Sequence, residues 1–391
     1  MQLYFNNVAL YYRKRNYRKR NYQKRNYQKR SNSINLKILK MNMKRRTFLT
    51  AGAAITTVAI HQLWNSRSSF GQNSKVLNLY SARHYDADNQ VYEGFFKKTG
   101  IKVNLVEAAA DKLIERVKSE GANSPADVII TVDAGNLWRT QQSNLFQQIP
   151  MSSLLYSKIK SSLRDTDGYW FGFAKRARVI MYNKARINPT DILRYEDLAD
   201  EKWRGKILTR SSGNVYNQSL VGSIVAAAGE SATEVWAKGV VANFARKPEG
   251  NDTSQIKAVA AGEGDLAIAN TYYLARLANS SKPEDREVAS KVGIIFPNQG
   301  DRGTHVNISG GGIAKFAPNR EAALQYLEYL ASPEAQQIFA GSNFEYPAID
   351  GISMNSVLTG FGKFKSDPLN PKVFGEKNAI ALKIMDRSGW A

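Results

Sequence analysis

No cysteine occurs anywhere in the 391 residues, which excludes disulfides, thiolate metal ligands, cysteine nucleophiles and a lipidated N-terminal cysteine. Histidine is nearly as scarce. His61, His84 and His305 are the whole complement, too few for a histidine-rich zinc site once His61 is assigned to the N-terminal segment. His-Glu-x-x-His, Gly-x-Ser-x-Gly and phosphate-loop sequences are missing, and the run Gly310-Gly311-Gly312 lacks the Lys-Ser/Thr that a phosphate loop requires, so a bend at a hinge is its expected use. Nothing in the chain argues for an enzyme. The nearest approach to a membrane span, Thr50 to Ile60, is too short and too mildly apolar to be one.

Acidic residues are absent from the first 71 positions, where 16 of the 55 Lys and Arg lie. The formal charge of +21 is therefore mostly terminal: residues 72–391 carry 39 basic and 34 acidic residues. So mild a balance gives no reason to expect a nucleic-acid partner for the body of the protein. Within the basic end, Tyr12-Arg13-Lys14-Arg15-Asn16 recurs with small changes through Arg30. Such a low-complexity run has no apolar face to bury and is expected to be disordered, and any RNA binding would rest on it alone. Residues 1–42 are read as lying upstream of the true start, at Met41 or Met43.

Residues 43–71 have a different order. Lys44-Arg45-Arg46-Thr47-Phe48-Leu49 sets a pair of arginines before apolar residues, a weakly apolar stretch follows, and Ser69-Phe70-Gly71 supplies small residues. This resembles a twin-arginine export signal cleaved after Gly71, so a periplasmic protein is expected, held at the membrane only if the signal stays uncleaved.

The 320 residues beyond it suffice for two lobes with separate cores. Val76–Ser81 reads as a buried strand, Val91, Phe95 and Phe96 as a helical stripe stopped by Gly100, and Ile101–Val106 as the next strand. A helix over Leu113–Val117, a strand over Asp127–Val132 and a helix at Leu137-Trp138 continue the alternation, which predicts parallel pairing through right-handed crossovers. Two long extended runs, Trp170–Ala174 and Ala177–Asn183, suit a passage between lobes. A second α/β unit then follows: a strand at Lys206–Thr209, helices over Tyr216–Ala228, Val235–Phe244 and Ser254–Ala261, and the strand Asp265–Ala269. His305–Phe316 is a candidate return crossing, and Asn319–Ala340 is strongly helical. The expected architecture is α/β and two-lobed, each lobe a mostly parallel sheet flanked by helices. Residues 72–172 with 305–391 would form one lobe, with the last helices able to touch both, and 173–304 the other.

Ligands of open α/β sheets sit at the carboxyl ends of strands, and three such ends carry tyrosine. The first strand runs into Ser81-Ala82-Arg83-His84-Tyr85, the strand at Lys206–Thr209 into Arg210-Ser211-Ser212-Gly213-Asn214-Val215-Tyr216, and Asp265–Ala269 into Asn270-Thr271-Tyr272-Tyr273. One tyrosine pair usually packs as two half-buried aromatics. Agreement between distant loops is what points to phenol oxygens around one hard cation, with Fe(III) as the candidate. Left open by the residues themselves are a small oxyanion or organic solute held at Ser211-Ser212-Gly213 without metal, and an enzyme with an acid and base pair in the cleft.

These segments, with Gly303-Thr304-His305-Val306-Asn307 near the second crossing, resemble the periplasmic ferric-ion-binding proteins of ABC iron importers, the cyanobacterial type in particular, over essentially residues 75–391. The resemblance implies a two-lobed periplasmic-binding-protein fold, a monomer that delivers Fe(III) to an ABC permease in the inner membrane, and a ligand set matching His84, Tyr85, Tyr216, Tyr272 and Tyr273. Three phenolates neutralise Fe(III) and a fourth leaves a charge of −1. Arg276, four residues after Tyr272 and three after Tyr273 on one side of a helix, is expected as an outer-shell cation, and Arg83 as a second candidate.

Overall fold

The computed structural model describes residues 75–391. The basic repeat and the expected export signal lie outside the described residues, among which no helix is long and apolar enough to cross a membrane.

The chain begins as its apolar pattern predicts. Strand β1 (Val76–Ser81) buries Leu77, Leu79 and Tyr80, the helix Asp88–Thr99 buries Val91 and Phe95, and Gly100 ends that helix at φ 72°, a left-handed conformation that glycine adopts without a steric cost. Strands β2 (Lys102–Glu107) and β3 (Val128–Val132) flank β1, both parallel to it, in registers Val76↔Lys102 and Leu79↔Val128. The helices Ala110–Glu120 and Ala134–Gln142 make the connections.

The two extended runs form one 13-residue strand, β5 (Phe171–Asn183). It passes through both halves of the protein. Its first part pairs antiparallel with β9 (Val306–Ala314), which also lies antiparallel on β3 and on the short β4 (Phe146–Gln147), while from Arg178 onward it pairs with β7 (Leu266–Asn270) and β8 (Val292–Ile295). Parallel pairing is thus kept for β1, β2 and β3 and for β7 with the short β6 (Ile207–Leu208), and the crossing strands run against them. One core lies around β1, β3 and the first part of β5; two more cover the two faces of the β5–β7 sheet.

Two local expectations change. Gly310-Gly311-Gly312 is a straight, buried piece of β9 and not a bend: a Cβ on Gly311 would stand 2.6 Å from the Ile129 carbonyl, because strands and side chains close in on both faces there. The helical stretch from Asn319 is two helices, Arg320–Leu330 and Pro333–Gly341, since Pro333 has no N–H to continue the first and Ser332 caps the second through the Ala335 amide (3.3 Å). The last helix, Asn378–Arg387, leaves the first core and buries Ala381, Ile384, Met385 and, beyond it, Trp390 in the second.

Candidate metal centre

Each tyrosine of interest stands just past the carboxyl end of a strand. Tyr272 and Tyr273 open the helix Thr271–Ala278 directly after β7, Tyr216 is in the first turn of the helix Val215–Ala228 after β6, and Tyr85 lies in the loop after β1. A buried hub sets the two helix starts relative to each other. Arg178 of β5 donates to Asp252 (3.1 Å), to the Asn270 side-chain oxygen (3.0 Å) and to that of Asn217 (2.6 Å), while Asp252 accepts the Asn270 amide (2.9 Å). Asn217 adjoins Tyr216 and Asn270 precedes the tyrosine pair by two residues.

The four phenols converge. The rings of Tyr272 and Tyr273 are 4.2 Å apart at 33°, and Tyr85 meets Tyr272 edge-on at 6.1 Å. Tyr272 is 0% exposed, and its hydroxyl makes no well-aligned hydrogen bond although the phenols of Tyr216 and Tyr273 stand close enough to interact with it. Leaving such a group buried costs about 1–3 kcal/mol, so its retention in that position calls for a function. Burial, first, raises the pKa values of Tyr216, Tyr272 and Tyr273; the charges of the neighbouring phenols raise Tyr216 and Tyr272 further, and Asp252 raises Tyr273. Alone, these oxygens keep their protons. A trivalent cation among them reverses the balance, because mutual repulsion between phenolates becomes attraction to a shared centre. Among the described residues no group of three or more His, Asp or Glu could hold a metal instead.

The cations surround the rings. Arg276 lies over Tyr85 (4.3 Å to the ring centre) and Tyr272 (4.9 Å), Arg83 over Tyr85 (4.7 Å), and Arg178 and Arg210 each over Tyr216 (5.7 Å). His84 is placed differently from the other sequence-derived candidates: its side chain is 52% exposed and its Nδ1 is engaged by the Glu107 carboxylate. Sequence reasoning missed Arg176, which is buried on β5 with Nε and Nη1 unpartnered. Arginines at alternate positions of an otherwise apolar strand, Arg176 and Arg178, were a signal that could have been read. It also missed Asp252 and Glu345, for which the sequence carries no comparable mark. A cavity of about 10 Å³ lies beside Arg83 and Asp88, and a surface groove of about 550 Å³ is bordered by Leu193 and Phe296.

A two-lobed α/β fold with long shared strands and polar side chains gathered at strand ends is the architecture of a solute-binding protein. The chain belongs to the bacterial extracellular solute-binding proteins, whose family pattern it matches over residues 90–371. It is 51% identical to iron uptake protein A1 of Synechocystis over 359 residues, 89% of this chain and 99% of that protein. A Trichodesmium protein (IdiA, FutA) solved in complex with iron and citrate is 61% identical, with a TM-score of 0.78 over 81% of this chain and all of the other. The ferric binding protein of Campylobacter jejuni is 43% identical, with a TM-score of 0.77 and the same coverage. These relatives confirm the two-lobed α/β reading of the fold.

Proposed function

We propose that this protein is the periplasmic receptor of an ABC iron importer, capturing Fe(III) between its lobes and handing it to the membrane permease. The observation that carries the reading is the convergence of Tyr85, Tyr216, Tyr272 and Tyr273, with a buried Tyr272 hydroxyl whose close polar neighbours include the other phenols Tyr216 and Tyr273. The names of its relatives, iron uptake and ferric iron-binding proteins, support the same cargo. In this reading the lobes are residues 72–172 with 305–391 and residues 173–304. Tyr216, Tyr272 and Tyr273 collect the ion on the second lobe, and Tyr85 of the first completes the shell on closure, so that cargo stabilises the closed state through contacts absent from the open one. His84 joins only by leaving Glu107, and Arg276 offsets the fourth phenolate.

The protein catalyses no reaction in this account. It works as a monomer exported by the twin-arginine route. Because phenols lose protons to bind, acid weakens retention; reduction, which lowers the charge of the ion, weakens it too. Absorption spectra with and without ferric citrate test the proposal: phenolate-to-iron charge transfer gives the loaded protein a visible band, diminished and shifted in Tyr273→Phe. A colourless protein that leaves Fe(III) to citrate would refute it.

A further inference from the structure

Arg83 sits two residues before Tyr85, and its surroundings are more elaborate than a surface loop requires. The guanidinium is buried between two rings, 4.7 Å from the centre of Tyr85 and 4.9 Å from that of Phe339. Two buried carboxylates hold it there. Asp88 accepts from Nε (2.8 Å) and Nη2 (2.9 Å), and Glu345 accepts from Nη2 (2.8 Å) and Nη1 (3.4 Å). Asp88 belongs to the helix that follows the Tyr85 loop, but Glu345 lies 262 residues after Arg83 and is 0% exposed.

Glu345 has a second partner. Its Oε1 is 3.5 Å from Nη2 of Arg176, which also donates to Ser309, and the Ser309 hydroxyl is itself 3.5 Å from the same carboxylate oxygen. Arg176 is two positions before Arg178 on β5, hence on the same face of the strand as the guanidinium over Tyr216. One carboxylate therefore spans the arginine under Tyr85 and an arginine of the crossing strand. The backbone that delivers it is strained: Phe344, a bulky residue, has φ 58°, where only glycine is at ease. Asn343, on the other side of that residue, donates to Asp88 at 2.8 Å. Residues 343–345 thus grip the Arg83–Asp88 pair from two directions, and strained backbone persists where surrounding contacts over-determine it.

We infer that Glu345 is a positioning residue for the metal centre: it fixes Arg83 against Arg176 and thereby sets where the Tyr85 phenol stands when the lobes close. The inference rests on the ferric reading above. Cutting the bridge leaves all four phenols in the chain but frees the loop that carries Tyr85. An outer partner of this kind, when lost, costs about tenfold in metal retention. The effect has to travel through Tyr85, which separates it from a general loss of packing.

The test is a double-mutant cycle on full-length mature protein loaded with ferric citrate, following the rate at which an iron chelator bleaches the charge-transfer band. Glu345→Gln is expected to speed iron loss about tenfold and to shift the band. In a Tyr85→Phe background, which keeps the three phenols of the second lobe, the same change is expected to have little further effect. Equal acceleration in both backgrounds, or none in either, overturns the inference while leaving the ferric reading intact; a parent protein with no band takes both down. Should Glu345→Gln fail to fold, Asn343→Ala removes only the hydrogen bond to Asp88. It is expected to produce a smaller acceleration with the same dependence on Tyr85, and acceleration independent of Tyr85 again overturns the proposal.

Discussion

Replacing Tyr272 by phenylalanine should make the iron-free protein more stable and the iron-loaded protein less so. The hydroxyl removed is fully buried and makes no well-aligned hydrogen bond, a condition that costs about 1–3 kcal/mol, whereas the ring, packed against Tyr273 and meeting Tyr85 edge-on, is kept. Part of the cost is recovered in the variant, about 1–2 kcal/mol by the same measure. For a body of this size that corresponds to a rise of about 1.5–3 °C in the melting temperature. With ferric citrate present the order reverses. A ligand that binds only the folded protein stabilises it by RT ln(1 + [L]/Kd), about 4 kcal/mol at a thousandfold excess over Kd, and the variant forfeits most of that gain along with one of its phenolates. The assay is calorimetry of both proteins with and without ferric citrate at neutral pH. An iron-free variant that melts below the parent would show that the hydroxyl is satisfied after all. A ferric gain equal to the parent's would show that Tyr272 is no ligand, whatever its burial.

Three further outcomes follow from the same geometry. Gly311→Ala should lower the urea midpoint by the equivalent of about 3 kcal/mol, because the added methyl would lie 2.6 Å from the Ile129 carbonyl and 2.8 Å from the Ile130 side chain with no free direction to move; an unchanged midpoint would mean that the strands separate at no cost. Burial pushes the Asp133 carboxyl from 3.8 up to about 6, against the opposing pull of Ser219, the Gly135 amide and Arg176. A raised carboxyl pKa favours the folded state at low pH, so this contribution is present below pH ~4 and is lost as pH rises through ~6, by about 3 kcal/mol at most. Denaturation of Asp133→Asn across that window should lack this part of the slope, and a slope identical to the parent's would disprove the assignment. His84→Ala should weaken ferric retention less than any of the four Tyr→Phe changes, since its ring is half exposed and already held by Glu107; chelator competition measures it, and a loss as large as that of Tyr272→Phe would place His84 in the shell.

The features legible in the sequence were those written in period and punctuation. β1 begins and ends at the predicted residues because Leu77 and Leu79 are buried on one face and Tyr80 on the other, between Lys75 and the polar loop after Ser81, and Gly100 stops its helix as a left-handed residue must. The tyrosine loops were legible for a related reason: each directly follows an apolar strand, and strand ends are where such folds place ligands. Gly310-Gly311-Gly312 misled because the sequence shows only that side chains are absent, whereas the cause is the approach of Ile129, Phe171 and Tyr169 from other parts of the chain. Glu345 and Asp252 were hidden for the same reason. An isolated acidic residue carries no periodicity, and the arginines it pairs with are 42 to 262 residues away.

In the proposed site, the charge around the phenols would give a fourth tyrosine a purpose when three already neutralise a trivalent ion. Arg83 is matched by Asp88, and Arg176 shares Glu345 with it; Arg178 and Arg210 share Asp252; Arg276 has no ion-pair partner among the described residues. Five arginines thus face three carboxylates, a surplus of two positive charges in a low-dielectric setting where unmatched charge is costly. Fe(III) held by three phenolates would be neutral and leave that surplus untouched. With a fourth phenolate the centre carries −1, and the arginines over the rings of Tyr85, Tyr272 and Tyr216 stabilise it directly. The arginines and the fourth tyrosine are therefore one device: Arg276→Gln should raise the pH at which iron is lost, and should do so less once Tyr85 is already phenylalanine.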